Sequence, residues 1–158
     1  MSMKASGAAV RWLGPEEEHA WRAYRRMVTA VQARTARDLA EVGLSEADYE
    51  VLSTLSERTD GTSTLREQAA KMEWSRSRLS RHATRMETRG LLRRAPDPDD
   101  GRGCLLVLTE RGLDTLRQAA PTHLASVRRH FVDQLDPQEL AVLGRIAAKL
   151  VGYPEDCP

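Results

Sequence analysis

The 158-residue chain is 41% hydrophobic and 30% charged, a balance that excludes disordered, collagen-like and fibrous classes. It is long enough to bury one core without disulfide or metal staples. Its 24 Lys+Arg nearly cancel its 23 Asp+Glu, so the formal net charge of +1 names no partner by itself.

Pro15 followed by Glu16, Glu17 and Glu18 predicts a helix start, because proline is tolerated at the first helical position and carboxylates suit the positive end of the dipole. Trp21, Tyr24, Val28, Val31, Thr35, Leu39 and Val42 then recur at helical spacing, with Gly43 as the stop. Ser45 with Asp48 forms a capping box for the next helix, whose buried side is Tyr49, Leu52 and Leu55, and Thr59-Asp60-Gly61 closes it in a turn. Thr64 with Glu67 opens a short helix as a second capping box. Ser75 caps a further helix ending at Gly90, with Trp74 and Leu79 as a hydrophobic staple across its start. Leu91–Ala95 and Cys104–Thr109 predict a hairpin with a long polar tip, PDPDDGRG. Thr109 caps a long helix that Pro121 is expected to bend. Asp136-Pro137-Gln138-Glu139 starts the last helix.

No run approaches the roughly eighteen apolar residues of a membrane span, and MSMKASGAAVRWLG lacks the apolar centre of a secretory signal. A cytoplasmic protein without membrane partners is expected. Cys104 and Cys157 form no CxxC or metal-knuckle spacing and read as unpaired thiols. His19, His82, His123 and His130 are dispersed, so no metal or cofactor is expected. Neither a GxSxG, a P-loop nor an HExxH motif occurs, and no catalytic residues or enzymatic activity are assigned.

Charge is strongly segregated. Residues 75–94 hold seven arginines (76, 78, 81, 85, 89, 93 and 94) against Glu87, whereas residues 41–60 hold six acids against Arg58. On a helical wheel Leu79, Ala83 and Met86 share one side, and Ser77, Arg78, Ser80, Arg81, Thr84, Arg85 and Thr88 the other. An ordinary solvated helix mixes signs into i,i+4 pairs. This one stays almost wholly positive, and its arginines and hydroxyls are the donors that read bases and phosphates. Residues 64–90 therefore read as a helix-turn-helix whose second helix enters a DNA groove, with Ser75, Arg76, Ser77, Arg78, Ser80, Arg81 and Arg85 as candidate contacts. Arg102, between two glycines at the hairpin tip, suits a narrow minor groove. Asp97, Asp99 and Asp100 would weaken binding unless at least one turns inward to orient an arginine.

The stretch WSRSRLSRHATRMETRGLLRR followed by DPDDGRGCLLVLTERG, within the order helix, helix, helix-turn-helix, wing, long helix and final helix, resembles the MarR family of winged-helix transcriptional regulators over residues 15–150. The resemblance implies a mainly α fold: a winged helix-turn-helix over residues 44–109 and a helical dimerisation region over residues 15–43 and 110–151. Residues 1–14 are then a flexible N-terminal segment and residues 152–158 a tail. It further implies a homodimer on a palindromic double-stranded DNA operator, acting as a ligand-responsive repressor, with Asp100 and Arg102 serving the wing. A small-molecule effector would sit between the dimer helices and the winged module, near Trp21, Tyr24 and Tyr49. The competing reading is a winged-helix protein-interaction module or antagonist that does not itself bind DNA.

Overall fold

The computed structural model describes residues 10–152; the expectations for residues 1–9 and 153–158, Cys157 among them, lie outside it. The chain runs α1 (Pro15–Glu41), α2 (Glu46–Ser56), β1 (Thr62–Thr64), α3 (Leu65–Lys71), α4 (Arg76–Thr88), β2 (Leu92–Asp97), β3 (Asp100–Leu108), α5 (Glu110–His130), a single 3-10 turn (Val132–Gln134) and α6 (Pro137–Val151). This is the mainly helical winged fold expected from the sequence.

Most helix starts are fixed by the capping residues. The Ser45 hydroxyl accepts from the Asp48 amide while the Asp48 carboxylate accepts from the Ser45 amide, both at 3.0 Å. Asp136 and Glu139 form the equivalent box on α6, and Ser75 and Thr109 accept from the Arg78 and Gly112 amides. The box at Thr64 is only half made. Thr64 accepts from the Glu67 amide, but the Glu67 carboxylate instead faces Arg58 at 3.8 Å. Gly43 adopts φ +80°, a left-handed conformation that glycine tolerates, and turns the chain from α1 into α2.

The core lies within the winged module. Val51, Leu52 and Leu55 of α2 meet Leu79, Ala83 and Met86 of α4 and Leu106 of β3, all fully buried. Leu91 and Leu92, at the start of the wing, and Leu116 and Ala119 of α5 complete it. The terminal helices contrast with this. Only Thr35 and Leu39 of α1 are buried, and no residue of α6 is, so the apolar stripe read on α1 is mostly uncovered within one chain.

The sheet corrects the hairpin read from sequence. β1, which lies between the expected turn at Thr59-Asp60-Gly61 and the cap at Thr64 and is not expected from the sequence, pairs antiparallel with β3, giving the order β1-β3-β2. The ladder also runs much further into the polar tip than expected: Pro96 pairs with Cys104 and Asp97 with Asp100, leaving Pro98 and Asp99 as the turn. Between those two pairs, residues 101–103 of β3 have no partners on β2 and bulge out. Pro96 is compatible with pairing because β2 is an edge strand. Pro121 lies inside an unbroken α5, so the helix continues past the lost hydrogen bond.

Candidate nucleic-acid interface

α3 and α4 are joined by a tight turn in which Glu73 takes φ +55°. Beyond it α4 presents two faces. Leu79, His82, Ala83 and Met86 are buried, while Ser75, Arg76, Ser77, Arg78, Arg81, Thr84 and Arg85 are exposed. Six of the seven predicted contact residues therefore share one open face. Ser80 is the exception: it is half-buried, and its carbonyl and hydroxyl oxygens accept from the Arg94 guanidinium at 2.6 and 3.2 Å.

The arginines divide into two groups. Arg94 also donates to Thr84 Oγ1 and to Glu87, at 3.1 and 2.9 Å, bracing β2 against α4. Arg89, at the end of α4, donates to Asp48 at 2.7 Å and to the Gly43 carbonyl at 2.6 Å, tying the helix to the start of α2. These two cations are absorbed by the fold. Among the described residues Arg76, Arg78, Arg81, Arg85 and Arg93 make no ion pair with an acid. Arg78 instead stacks its guanidinium 3.7 Å above the Trp74 ring. Arg85 donates to His82 Nδ1 at 3.0 Å.

Beneath that face, Asp48 is 4% exposed and collects three groups: the Ser45 amide, Arg89, and His82 Nε2, which lies 2.9 Å from Oδ1 at an oblique angle. Burial pushes its carboxyl up, but the Ser45 amide and Arg89 outweigh this and hold it below the ordinary carboxylate value. Burial pushes His82 down, against the pull of Asp48, keeping it neutral near pH 7. From the sequence Asp48 is a helix cap and one of six acids in residues 41–60. Its partner Arg89 lies 41 residues away, beyond any local pattern.

On the wing, Asp100 and Arg102 are exposed, and the Arg102 amide donates to Asp100 Oδ1 at 3.1 Å. Asp97 likewise accepts from the Asp99 amide at 2.9 Å. The expected inward aspartate–arginine pair is thus replaced by carboxylates that brace the turn through backbone amides two residues on, the Arg102 side chain staying exposed. A side chain at Gly103 would come within 3.0 Å of Asp97, so glycine permits the bulge that carries Arg102. Arg102, Arg76 and Arg66 line one cleft of 390 Å³ between the wing and the starts of α3 and α4.

The three aromatic residues assigned to an effector pocket are not together within one chain. Trp21 and Tyr24 stack on each other at 5.7 Å on the exposed first half of α1. Tyr49 packs on His123 at 4.1 Å, beside a 320 Å³ cavity that Leu39, Glu46, Glu50, Ser53 and Thr54 also line. Eighteen residues of helix, about 27 Å, separate Trp21 from Leu39.

Two groups missed by the sequence reading join α1 to α5. Ser126 donates to Asp38 at 2.6 Å and His130 Nε2 lies 3.1 Å from the same oxygen; with Arg129 nearby, they hold the Asp38 carboxyl below its ordinary value. Among the described residues no cluster of three or more His, Cys, Asp or Glu could hold a metal, and no helix is long and apolar enough to cross a membrane.

The MarR family model matches residues 42–103, the winged module. The structure of AbsC, a MarR family transcriptional regulator from Streptomyces coelicolor, is 41% identical, covers 91% of this chain and 100% of its own, and superimposes with a TM-score of 0.83. The chain belongs to the MarR family of transcriptional regulators. Sco3205, a MarR regulator from the same organism solved in complex with DNA, is 32% identical over 94% of this chain and 95% of its own, with a TM-score of 0.87. The uncharacterized HTH-type transcriptional regulator YkoM of Bacillus subtilis (strain 168) is 27% identical, covering 75% of each chain. This MarR-family chain therefore carries the DNA-binding fold of transcriptional regulators, and the open cationic face described above is on its helix-turn-helix.

Proposed function

We propose that the protein is a homodimeric, sequence-specific regulator that binds palindromic double-stranded DNA. Each copy places α4 in a major groove through Ser75, Arg76, Ser77, Arg78, Arg81 and Arg85, and sets Arg102 of the wing, braced by Asp100, against the flanking minor groove. Ser80 is dropped from this set because Arg94 occupies it. The observation that carries the reading is the sorting of arginines: the fold neutralises Arg89 and Arg94 and leaves the α4 face open. An interaction module has no reason to keep that face and Arg102 together.

The second copy is supported by the uncovered apolar residues at the chain ends: Trp12, Leu13, Trp21, Tyr24 and Met27 near the N terminus, and Val142, Ile146, Leu150 and Val151 on α6. A dimer would bury them and space two α4 helices for half-sites about one helical turn apart. Repression follows by family analogy, with a small aromatic effector acting at the cavity beside Tyr49 and His123. Selection on random duplexes tests the reading. Recovery of a palindrome with half-sites about 10 bp apart is expected, whereas failure to enrich any sequence would overturn it.

A further inference from the structure

His82 is the one histidine on the α4 face that packs inward, 8% exposed, and it touches both sets of groups that define that face. Its Nδ1 faces Arg85, and a guanidinium can only donate, so Nδ1 accepts and the ring proton sits on Nε2 toward Asp48. Its ring also meets Trp74 edge-on, with centroids 5.8 Å apart and planes at 82°, and Arg78 lies on the face of that same Trp74. Two exposed arginines therefore lean on a single buried imidazole, one directly and one through an indole.

We propose that His82 is a positioning residue for DNA recognition: wedged between Asp48 and Trp74, its ring holds the Arg85 guanidinium by an accepted hydrogen bond and steadies the Trp74 platform under Arg78. An ordered guanidinium loses less side-chain entropy on reaching a base or phosphate than a free one, which adds affinity without a new contact. The charged groups around the ring are Asp48 from α2, which favours protonation, and Arg85 and Arg78 on α4, which oppose it; Arg89 shares Asp48. When the ring gains a second proton, Nδ1 becomes a donor facing another donor, and Arg85 is released. The regulator then loses this part of its grip in acid.

This inference rests on the assignment of Arg85 to DNA, and the experiment separates the two. Fluorescence-anisotropy titrations with a labelled duplex carrying the selected palindrome compare full-length wild type, Arg85→Ala, His82→Gln, His82→Asn and the Gln/Ala double variant at pH 7.5 and 5.5. Thermal melts verify that each variant is folded. Glutamine reaches the Nε2 position but offers no acceptor at Nδ1, whereas asparagine places its carbonyl near Nδ1. Arg85→Ala and His82→Gln are each expected to bind roughly tenfold more weakly at pH 7.5, with the double variant no weaker than Arg85→Ala alone. His82→Asn is expected to retain binding within about threefold and to lose the acid sensitivity by which wild type exceeds Arg85→Ala. If glutamine prevents folding, the asparagine variant's two affinities decide alone. Wild-type affinity for His82→Gln beside a weakened Arg85→Ala, multiplying losses in the double variant, or one pH profile shared by wild type and Arg85→Ala would overturn the positioning role. An unaffected Arg85→Ala would instead remove Arg85 from the DNA interface, and the inference with it.

Discussion

Replacing Gly112 with alanine should loosen the joint between the wing and α5. Gly112 sits in the first turn of α5, where its amide donates to Thr109 Oγ1 while the Thr109 hydroxyl donates to the Gly90 carbonyl at 2.6 Å. A methyl group there would lie 1.9 Å from the Leu91 carbonyl oxygen and 2.9 Å from the Leu108 side chain. A relaxed carbon–oxygen contact is about 3.3 Å, so α5 and the start of the wing must part by more than about one ångström. The obstacle is backbone, which places the cost at the upper end for overpacking, about 3 kcal/mol. Alanine's better helix propensity returns about 1 kcal/mol. The net loss of about 2 kcal/mol corresponds to a fall in Tm of about 4–8 °C for a chain of this size. Thermal unfolding followed by circular dichroism, at one fixed protein concentration because association shifts Tm, measures it. A Tm within about 1 °C of wild type would refute the packing argument.

Asp48→Ala should cost about 1–2 kcal/mol in urea unfolding, since it removes the acceptor of the Ser45 amide and of the Arg89 guanidinium, which is 43% exposed and can turn to water; a loss under about 0.5 kcal/mol would show that the cluster is incidental. Ile146→Asp with Leu150→Asp should yield a folded monomer in sedimentation velocity, because neither side chain is buried within its own chain, and an intact dimer would place the interface elsewhere. Acid should destabilise the protein in two windows. His82 and His123 are held below the ordinary histidine value of 6.5, first by burial, so the unfolded chain takes up protons more readily and stability falls as pH drops below about 6.5. Asp38 and Asp48 are held below 3.8, and their contribution is lost as pH falls through their lowered values. Glu50, raised first by burial, acts in the opposite sense. Urea midpoints from pH 7.5 to 3 check the sign, and rising stability between 7.5 and 5.5 would contradict it.

The helices were legible because their signals are local. Ser45, Thr64, Ser75, Thr109 and Asp136 each accept from an amide two or three residues on, so the caps can be read without the fold. The strands were less so. Thr62–Thr64 has no apolar alternation, and it becomes a strand only because β3 lies beside it; Pro96 and Asp97 look like turn residues until the open edge of the sheet is known. The cationic face was visible as a charge excess, but a count treats every arginine alike. That Arg89 and Arg94 serve the fold depends on Asp48, Ser80 and Glu87 being brought beside them, and no spacing rule supplies that. The link of Asp38 to Ser126 and His130 spans about ninety residues and was invisible for the same reason.

The salt dependence of operator binding tests the central claim most directly. Arg76, Arg78, Arg81, Arg85 and Arg102 stand open on each copy, so a dimer neutralising about five to ten phosphates should show a slope of log affinity against log salt between about −4.5 and −9. Removal of any phosphate-bound arginine takes one contact from each copy and should make the dimer's slope shallower by about two. A slope shallower than about −2, equal for the selected palindrome and a scrambled duplex, would contradict the account.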